Sequence, residues 1–235
     1  MDRALNYGRH ILPAMIKGLP LQRVLDVGGG LGNDLATVQA AAPACDLHAI
    51  ESNVHYANAL RAKGIKVSQV NLERAVLEFP DENFDLVMAN QILEHVKELF
   101  WILHEISRTL KVGGHLYVGV PNLASFHNRL LLLAGRQPTC INSASAHVRG
   151  FTRRDLLGFL QTCWPDGFEL VGFRGSNFYP LPPPLAKPMA DLLPNAAVTI
   201  FFLLRKRQPY RGEFLVFPRD LETNFFLGRD VHHVT

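Results

Sequence analysis

Between residues 23 and 121 the chain alternates short apolar runs with helix-compatible stretches. "RVLDV", "DLHAI", "IKVSQV", "FDLVMA" and "HLYVGV" read as strands rich in Val, Leu and Ile. Between them, helical segments run from about Asn33, from Asn53 to Lys63 with Gly64 as the terminating glycine, and from Val96 to Leu110, where "KVGG" stops the helix. This rhythm requires a doubly wound α/β architecture with a mostly parallel sheet. Right-handed crossovers then gather the strand C-terminal ends on one edge, where ligands bind.

Outside that stretch the pattern changes. Residues 3–18 place Leu5, Ile11, Leu12, Met15 and Ile16 on roughly one helical face. After Pro121, "NLASFHNRLLLLAGRQP" reads as a helix and "TCINSASAHVRG" as a polar loop. "TRRDLLGFLQTC" is a helix with Thr152 as N-cap and Asp155 three residues on, and "FELVGFRG" is a strand. "YPLPPPLAKP" reads as a connector and "AVTIFFLLRKR" as a long final strand; "GEFLVF" fits an edge strand and "TNFFLGRDVHHVT" a tail in which His232 and His233 are solvated.

The 235 residues, 48% apolar and 19% charged, suit one domain with a sizeable core. A net charge of +3 without a basic stripe argues against a nucleic-acid binder. The N-terminus lacks a signal-peptide pattern, and "AAVTIFFLL" is too short to span a bilayer. Cys45, Cys140 and Cys163 have neither disulfide-framework nor zinc-site spacing, so a cytoplasmic setting is expected.

The first strand runs into "VLDVGGGLGND", residues 24–34. A dinucleotide turn of the form G-x-G-x-x-G starting at Gly28 would need a third glycine where Asn33 stands. A phosphate-binding P-loop would need a Lys-Ser/Thr pair, which is missing, and Asp26 would repel a pyrophosphate. The spacing that does fit is D-x-G-x-G-x-G, through Asp26, Gly28, Gly30 and Gly32.

That spacing resembles class I S-adenosylmethionine-dependent methyltransferases, whose cofactor has an ammonium and a sulfonium but no phosphate. The resemblance implies a seven-stranded Rossmann-like sheet with its last strand antiparallel. It also implies that Asp26, with Gly28, Gly29, Gly30 and Gly32, meets the methionine part. Glu51 in "AIESN" matches the acid that holds the ribose hydroxyls, with Ser52 beside it. Asn71 stands where many members have an Asp for the adenine amino group, with Leu72 against the ring. "FDLVMANQILEHV" is similar to the type 11 branch, and places Asn90 and Gln91 beside the sulfur. The later "SAHVRGFTRRDLLGFLQ" also resembles that branch and its methionine-biosynthesis-like relatives.

Methyl transfer to oxygen requires loss of a proton. His147, in the polar loop, is the first candidate base; His95, expected on the helix after strand four, and His127 follow. His95 has a bland alternative as a packing or hydrogen-bonding residue. Arg149 and Arg153 are candidates for acceptor binding. No acidic cluster has Mg²⁺ or Ca²⁺ spacing, so no metal is expected. "ANQI" in place of Asn/Asp-Pro-Pro-Tyr disfavours adenine and glutamine acceptors.

The sequence thus predicts one domain over residues 1–235: a cofactor core (19–121), an inserted acceptor-side segment (122–150), the C-terminal part of the sheet (151–208) and a tail (209–235). Its expected function is methylation of a small molecule or saccharide at oxygen, as a monomer or homodimer. A lipid-linked or quinol acceptor stays open, because "NFYPLPPP" and "IFFLLRKRQPYR" have the composition of a membrane-surface patch. An NAD(P)-dependent oxidoreductase and a non-catalytic relative also stay open.

Overall fold

The computed structural model describes residues 3–228; His232 and His233 lie outside them. The sheet is doubly wound and seven-stranded. Its strands are β1 (Arg23–Val27), β2 (Asp46–Ile50), β3 (Lys66–Ser68), β4 (Phe84–Asn90), β5 (Leu110–Pro121), β6 (Phe168–Ser176) and β7 (Thr199–Lys206), in the order β3-β2-β1-β4-β5-β7-β6. β1 to β5 pair in parallel, and β7 runs antiparallel between β5 and β6. The central strands are apolar throughout because helices cover both faces. Leu25, Val27, Val87 and Val118 face one core; Val24, Leu86, Met88 and Tyr117 face the other.

The helices are α1 (Leu12–Ile16), α2 (Asn33–Ala41), α3 (Val54–Ala62), α4 (Leu99–Thr109), α5 (Phe126–Leu133), α6 (Arg153–Cys163), α7 (Pro183–Leu192) and α8 (Glu213–Val216). Local signals explain most boundaries. Asn53 caps α3 by accepting from the His55 N–H at 2.9 Å, and Gly64 follows with φ +79°. Thr152 caps α6 by accepting from the Asp155 N–H at 3.1 Å.

Four sequence expectations are corrected. The helix over residues 3–18 is two pieces, a 3₁₀ turn Arg3–Tyr7 and α1, because Gly8 breaks the chain at φ +59° where its backbone meets the Phe201 ring. The proline-rich connector becomes helical at α7: prolines are tolerated in a first turn, whose N–H groups have no intrahelical partner. "GEFLVF" is not an edge strand but α8 and a following 3₁₀ turn, Phe217–Asp220. Phe214 is fully buried there against Trp164 and Phe159, and its N–H donates to the Tyr210 hydroxyl at 3.1 Å. Residues 91–98, expected to begin a helix at Val96, form turns, and α4 starts at Leu99.

The segment after β7 also explains why Phe100 and Trp101 on α4 are buried. Phe225 packs on Phe100 and Phe226 on Trp101, each at 5.0 Å between ring centroids. The apolar residues of "IFFLLRKR" are core: Ile200 to Leu204 are buried between β5 and β6. Lys206 is buried at the end of that strand, and its ammonium donates to the carbonyls of Ser107 and Leu110 at 2.9 and 2.7 Å. No helix among the described residues is long and apolar enough to cross a membrane.

Candidate functional site

The glycine loop leaves the C-terminal end of β1 and is tied to the end of β2. The Gly28 and Gly29 N–H groups donate to the Ile50 carbonyl at 2.9 and 3.1 Å. The Gly30 N–H donates to Glu51 Oε2 at 2.8 Å, and Glu51 Oε1 accepts from the Asn53 N–H at 2.8 Å. Each Glu51 oxygen therefore has one backbone bond and keeps a second acceptor position. Two glycines differ in purpose. At Gly32, φ is +75° and an added Cβ would lie 2.7 Å from Leu60 Cδ2, so it lets α2 close onto α3. At Gly30, φ is +51° and an added Cβ would meet nothing nearer than the Gly28 carbonyl oxygen at 4.0 Å. Open space therefore faces the backbone there.

Asp26 is buried at the end of β1. Burial, and then the nearby Asp34 and Glu51 carboxylates, hold its carboxyl well above the usual carboxylate range. Burial also raises Asp34, opposed by a hydrogen bond from Asn90 and by Arg9. Asp34 was not singled out from the sequence. Its only signal was an acid in the first turn of the helix after the glycine loop, a position explained equally by the helix dipole. Ser52 is exposed, Asn71 Oδ1 accepts from the Glu73 N–H at 3.0 Å, and Leu72 packs against the core.

Asn90 and Gln91 end β4 beside this loop. The Asn90 amide donates to Asp34 Oδ2 at 2.7 Å and to the Tyr7 carbonyl at 3.0 Å, while its Oδ1 is buried without a partner. Gln91 has φ +57°, an uncommon conformation for a residue with a side chain, and its Nε2 also lacks a partner. Gly119 on β5 makes room for this corner. A Cβ there would lie 2.1 Å from Asn90 Oδ1 and 2.7 Å from Phe201 Cε1. Gly119→Ala is expected to lower stability by roughly 1–3 kcal/mol, read as a fall in the urea midpoint at unchanged slope.

From Gln91 a cavity of about 960 Å³ opens, lined among others by Tyr7, Gln91, Phe126, His127, Cys140 and His147. His147 and His127 thus share one chamber. His147 Nδ1 bonds to the Cys140 carbonyl at 2.6 Å. His127 bonds to Ser125 Oγ at 3.2 Å and Thr139 Oγ1 at 2.9 Å. His95 lies in a turn rather than on the helix expected for it, with its ring edge-on to His147 at 4.7 Å and its Nδ1 3.2 Å from the Ala146 carbonyl. Burial pushes the pKa of His95 and of His127 down, which keeps both imidazoles neutral near pH 7. Glu94 beside them is buried, which raises its carboxyl to about 7.

The two arginines do not join this chamber. Arg149 donates to the Lys97 carbonyl at 2.9 Å, behind the histidine turn. Arg153 lies over the Phe173 ring at 4.5 Å and lines a separate groove with Arg129 and Arg154. The sequence reading also missed Asn6, Tyr7 and Tyr179, which line the cavity from distant parts of the chain.

The profile of the methionine biosynthesis protein MetW family matches residues 10–145, more than half of the chain, and so spans the glycine loop, the β4 corner and most of the cavity wall. The chain belongs to the MetW family. This MetW-family chain also carries the class I S-adenosylmethionine-dependent methyltransferase fold. It superposes on an Archaeoglobus fulgidus SAM-dependent methyltransferase with a TM-score of 0.58, at 16% identity, covering 84% of this chain and 94% of that one. A Burkholderia thailandensis 1,6-didemethyltoxoflavin-N1-methyltransferase, solved with bound 1,6-didemethyltoxoflavin and S-adenosylhomocysteine, matches with a TM-score of 0.57 at 17% identity, over 88% and 80% of the two chains. In sequence, the ubiquinone/menaquinone biosynthesis C-methyltransferase UbiE of Vibrio campbellii is 34% identical over 107 residues, 42% of this chain and 41% of that protein. The matches span 36% to 54% of the length of the curated relatives.

Proposed function

We propose that this chain transfers a methyl group from S-adenosylmethionine to an oxygen of a small molecule or saccharide held in the large cavity. The observation that carries this reading is the placement of three carboxylates, Asp26, Asp34 and Glu51, around a glycine backbone with open space before it, next to a chamber of ligand size. Crowded carboxylates repel a pyrophosphate and suit a cation, which disfavours the NAD(P) reading.

The residues fit the cofactor. Asp26 is the counter-charge for its ammonium, directly or through water, and the spare acceptor positions of Glu51 suit two ribose hydroxyls. Asn71, with one acceptor position left, and Leu72 serve the adenine end, and the unpaired Asn90 Oδ1 and Gln91 Nε2 mark the corner nearest the reacting centre. Bound there, the cofactor supplies an electrophilic methyl carbon, and the protein's task is alignment of the acceptor and care of its proton. His147 assists loss of that proton, with His127 on the same chamber wall.

A second reading is favoured by the cavity wall on α5, where Phe126, Leu130 and Leu131 are apolar, and by the UbiE relative. It is a quinol-like acceptor. Thermal shift tests the main proposal: S-adenosylmethionine and S-adenosylhomocysteine should raise the melting temperature, by the equivalent of about 2.7 kcal/mol at one hundred times Kd, and NADPH should not. Stabilisation by NADPH alone would overturn it. Cofactor binding without methyl transfer to any acceptor in cell extract would favour the non-catalytic reading.

A further inference from the structure

Two imidazoles and a carboxylate converge where the turn after β4 meets the loop before α6. Glu94 and His95 are neighbours in that turn, and His147 comes from 52 positions further on. Backbone bonds fix the meeting: the Val148 N–H donates to the Glu94 carbonyl at 2.8 Å. One ligand-capable atom from each of Glu94, His95 and His147 lies within 4.8 Å of the others.

The hydrogen bonds around the cluster point to a cation. His95 Nδ1 faces the Ala146 carbonyl at 3.2 Å and His147 Nδ1 faces the Cys140 carbonyl at 2.6 Å. A carbonyl only accepts, so both Nδ1 atoms carry the proton and both Nε2 atoms present a lone pair. Metal-ligating histidines are held in this way, with the second ring nitrogen donating to a carbonyl or carboxylate. Independently, Glu94 is 1% exposed and its Oε2 has no hydrogen-bond partner among the described residues. A buried carboxyl oxygen left unpaired is costly unless it carries a proton or meets a cation. Its other oxygen lies 4.0 Å from His95 Nε2, a separation that a shared cation bridges and a direct hydrogen bond does not.

We infer that Glu94, His95 and His147 form a binding site for one divalent transition-metal ion on the wall of the large cavity. Two imidazoles and one carboxylate suit Zn²⁺, Co²⁺ or Mn²⁺ better than Mg²⁺ or Ca²⁺, which take oxygen ligands. Metal–ligand bonds of roughly 2.0–2.2 Å bring ligand atoms about 3–3.5 Å apart, so the three side chains draw together by about 1 Å on binding. Three protein ligands leave an open position, as in catalytic zinc sites. His147 also lines the cavity, so that position is available to an oxygen of the occupant. Resting on the methyltransferase reading, this names the acceptor class as one with a metal-chelating hydroxyl or carboxylate. It also refines the part played by His147, which assists proton loss as a ligand of the ion that acidifies the hydroxyl.

The full chain, stripped with EDTA and dialysed, is titrated with Co²⁺ while the visible d–d absorption is followed, and S-adenosylhomocysteine affinity is measured on the same samples. One Co²⁺ per chain, displaced by Zn²⁺, is expected. His95→Gln and His147→Gln should each weaken Co²⁺ binding at least tenfold while leaving S-adenosylhomocysteine affinity intact, and His55→Ala, on the exposed face of α3, should change neither. Should a glutamine variant lose S-adenosylhomocysteine binding, diethyl pyrocarbonate protection of His95 and His147 by Zn²⁺ in the unaltered chain decides the question. Absence of a stoichiometric Co²⁺ site, equal affinity in well-folded variants, or no protection would overturn the metal site while S-adenosylhomocysteine binding still upholds the methyltransferase reading. Tight Co²⁺ without S-adenosylhomocysteine binding would uphold the site and sink that reading.

Discussion

Asp26→Asn is expected to make the empty protein more stable and the cofactor weaker, two changes of opposite sign from one atom. The Asp26 carboxyl lies well above the usual carboxylate range because burial, then Asp34 and Glu51, disfavour its charge. A carboxyl raised in the folded state binds more protons there than in the unfolded chain. Stability therefore falls as pH rises from the ordinary carboxylate value through the raised one. Asparagine has the same shape without the charge, so the variant should melt higher than the parent above that window and show a flatter stability–pH profile. The same change removes the counter-charge for the ammonium. The expected loss in S-adenosylhomocysteine affinity is on the order of 10- to 100-fold, the range of a charge-assisted hydrogen bond. Calorimetry in buffers of different ionisation enthalpy should also detect proton release on binding in the parent that the variant lacks. A variant that binds the ligand as tightly as the parent would remove Asp26 from the site.

His147→Ala is expected to cut kcat by about 10²- to 10⁴-fold, the usual scale for a group that assists proton transfer in the transition state. S-adenosylhomocysteine affinity should barely change, because His147 lines the large cavity, whose lining includes no glycine-loop residue. This split between turnover and cofactor affinity separates a role in the reaction from a structural one. Turnover equal to that of the parent would take His147 out of the chemistry. A parallel fall in turnover and cofactor affinity would reassign it to holding the loop of residues 142–150.

The glycine-loop side of the candidate site was legible because it is local. Strand, loop and helix follow one another between Arg23 and Ala41, and the glycines and Asp26 are read there in a single window. Glu51 was legible for the same reason, since it ends the next strand. The large cavity was not, because it is assembled across the chain. Tyr7, Gln91, His127, His147, Tyr179 and Thr199 meet on one cavity, and no spacing rule relates them. The cluster of Glu94, His95 and His147 escaped the search for metal-site spacing for that reason: two of its members are adjacent and the third arrives through a loop. Local patterns also misled where tertiary packing overrode them. "GEFLVF" has strand composition, but Phe214 finds its place under Trp164, and the turn Phe217–Asp220 follows at once. Prolines suggested a connector at residues 180–188, yet Pro183 and Pro184 occupy the one turn of a helix that needs no N–H donors.

The place of β7 between β5 and β6 bears on how this chain is made. During synthesis from the N-terminus, β5 is finished at Pro121, and the strand that pairs with its free edge begins only at Thr199. For all the intervening residues, the backbone donors and acceptors of His115 to Pro121 that face away from β4 have no strand partner, beside the apolar side chains of Leu116, Val118 and Val120. An unpaired apolar edge of this kind is a template for wrong pairing with another nascent chain. β6 emerges earlier but runs parallel to β5, so the antiparallel place beside β5 is left for β7. The strand that completes the sheet thus also covers its exposed edge, and slower docking of residues 199–206 is expected to lower the yield of folded protein.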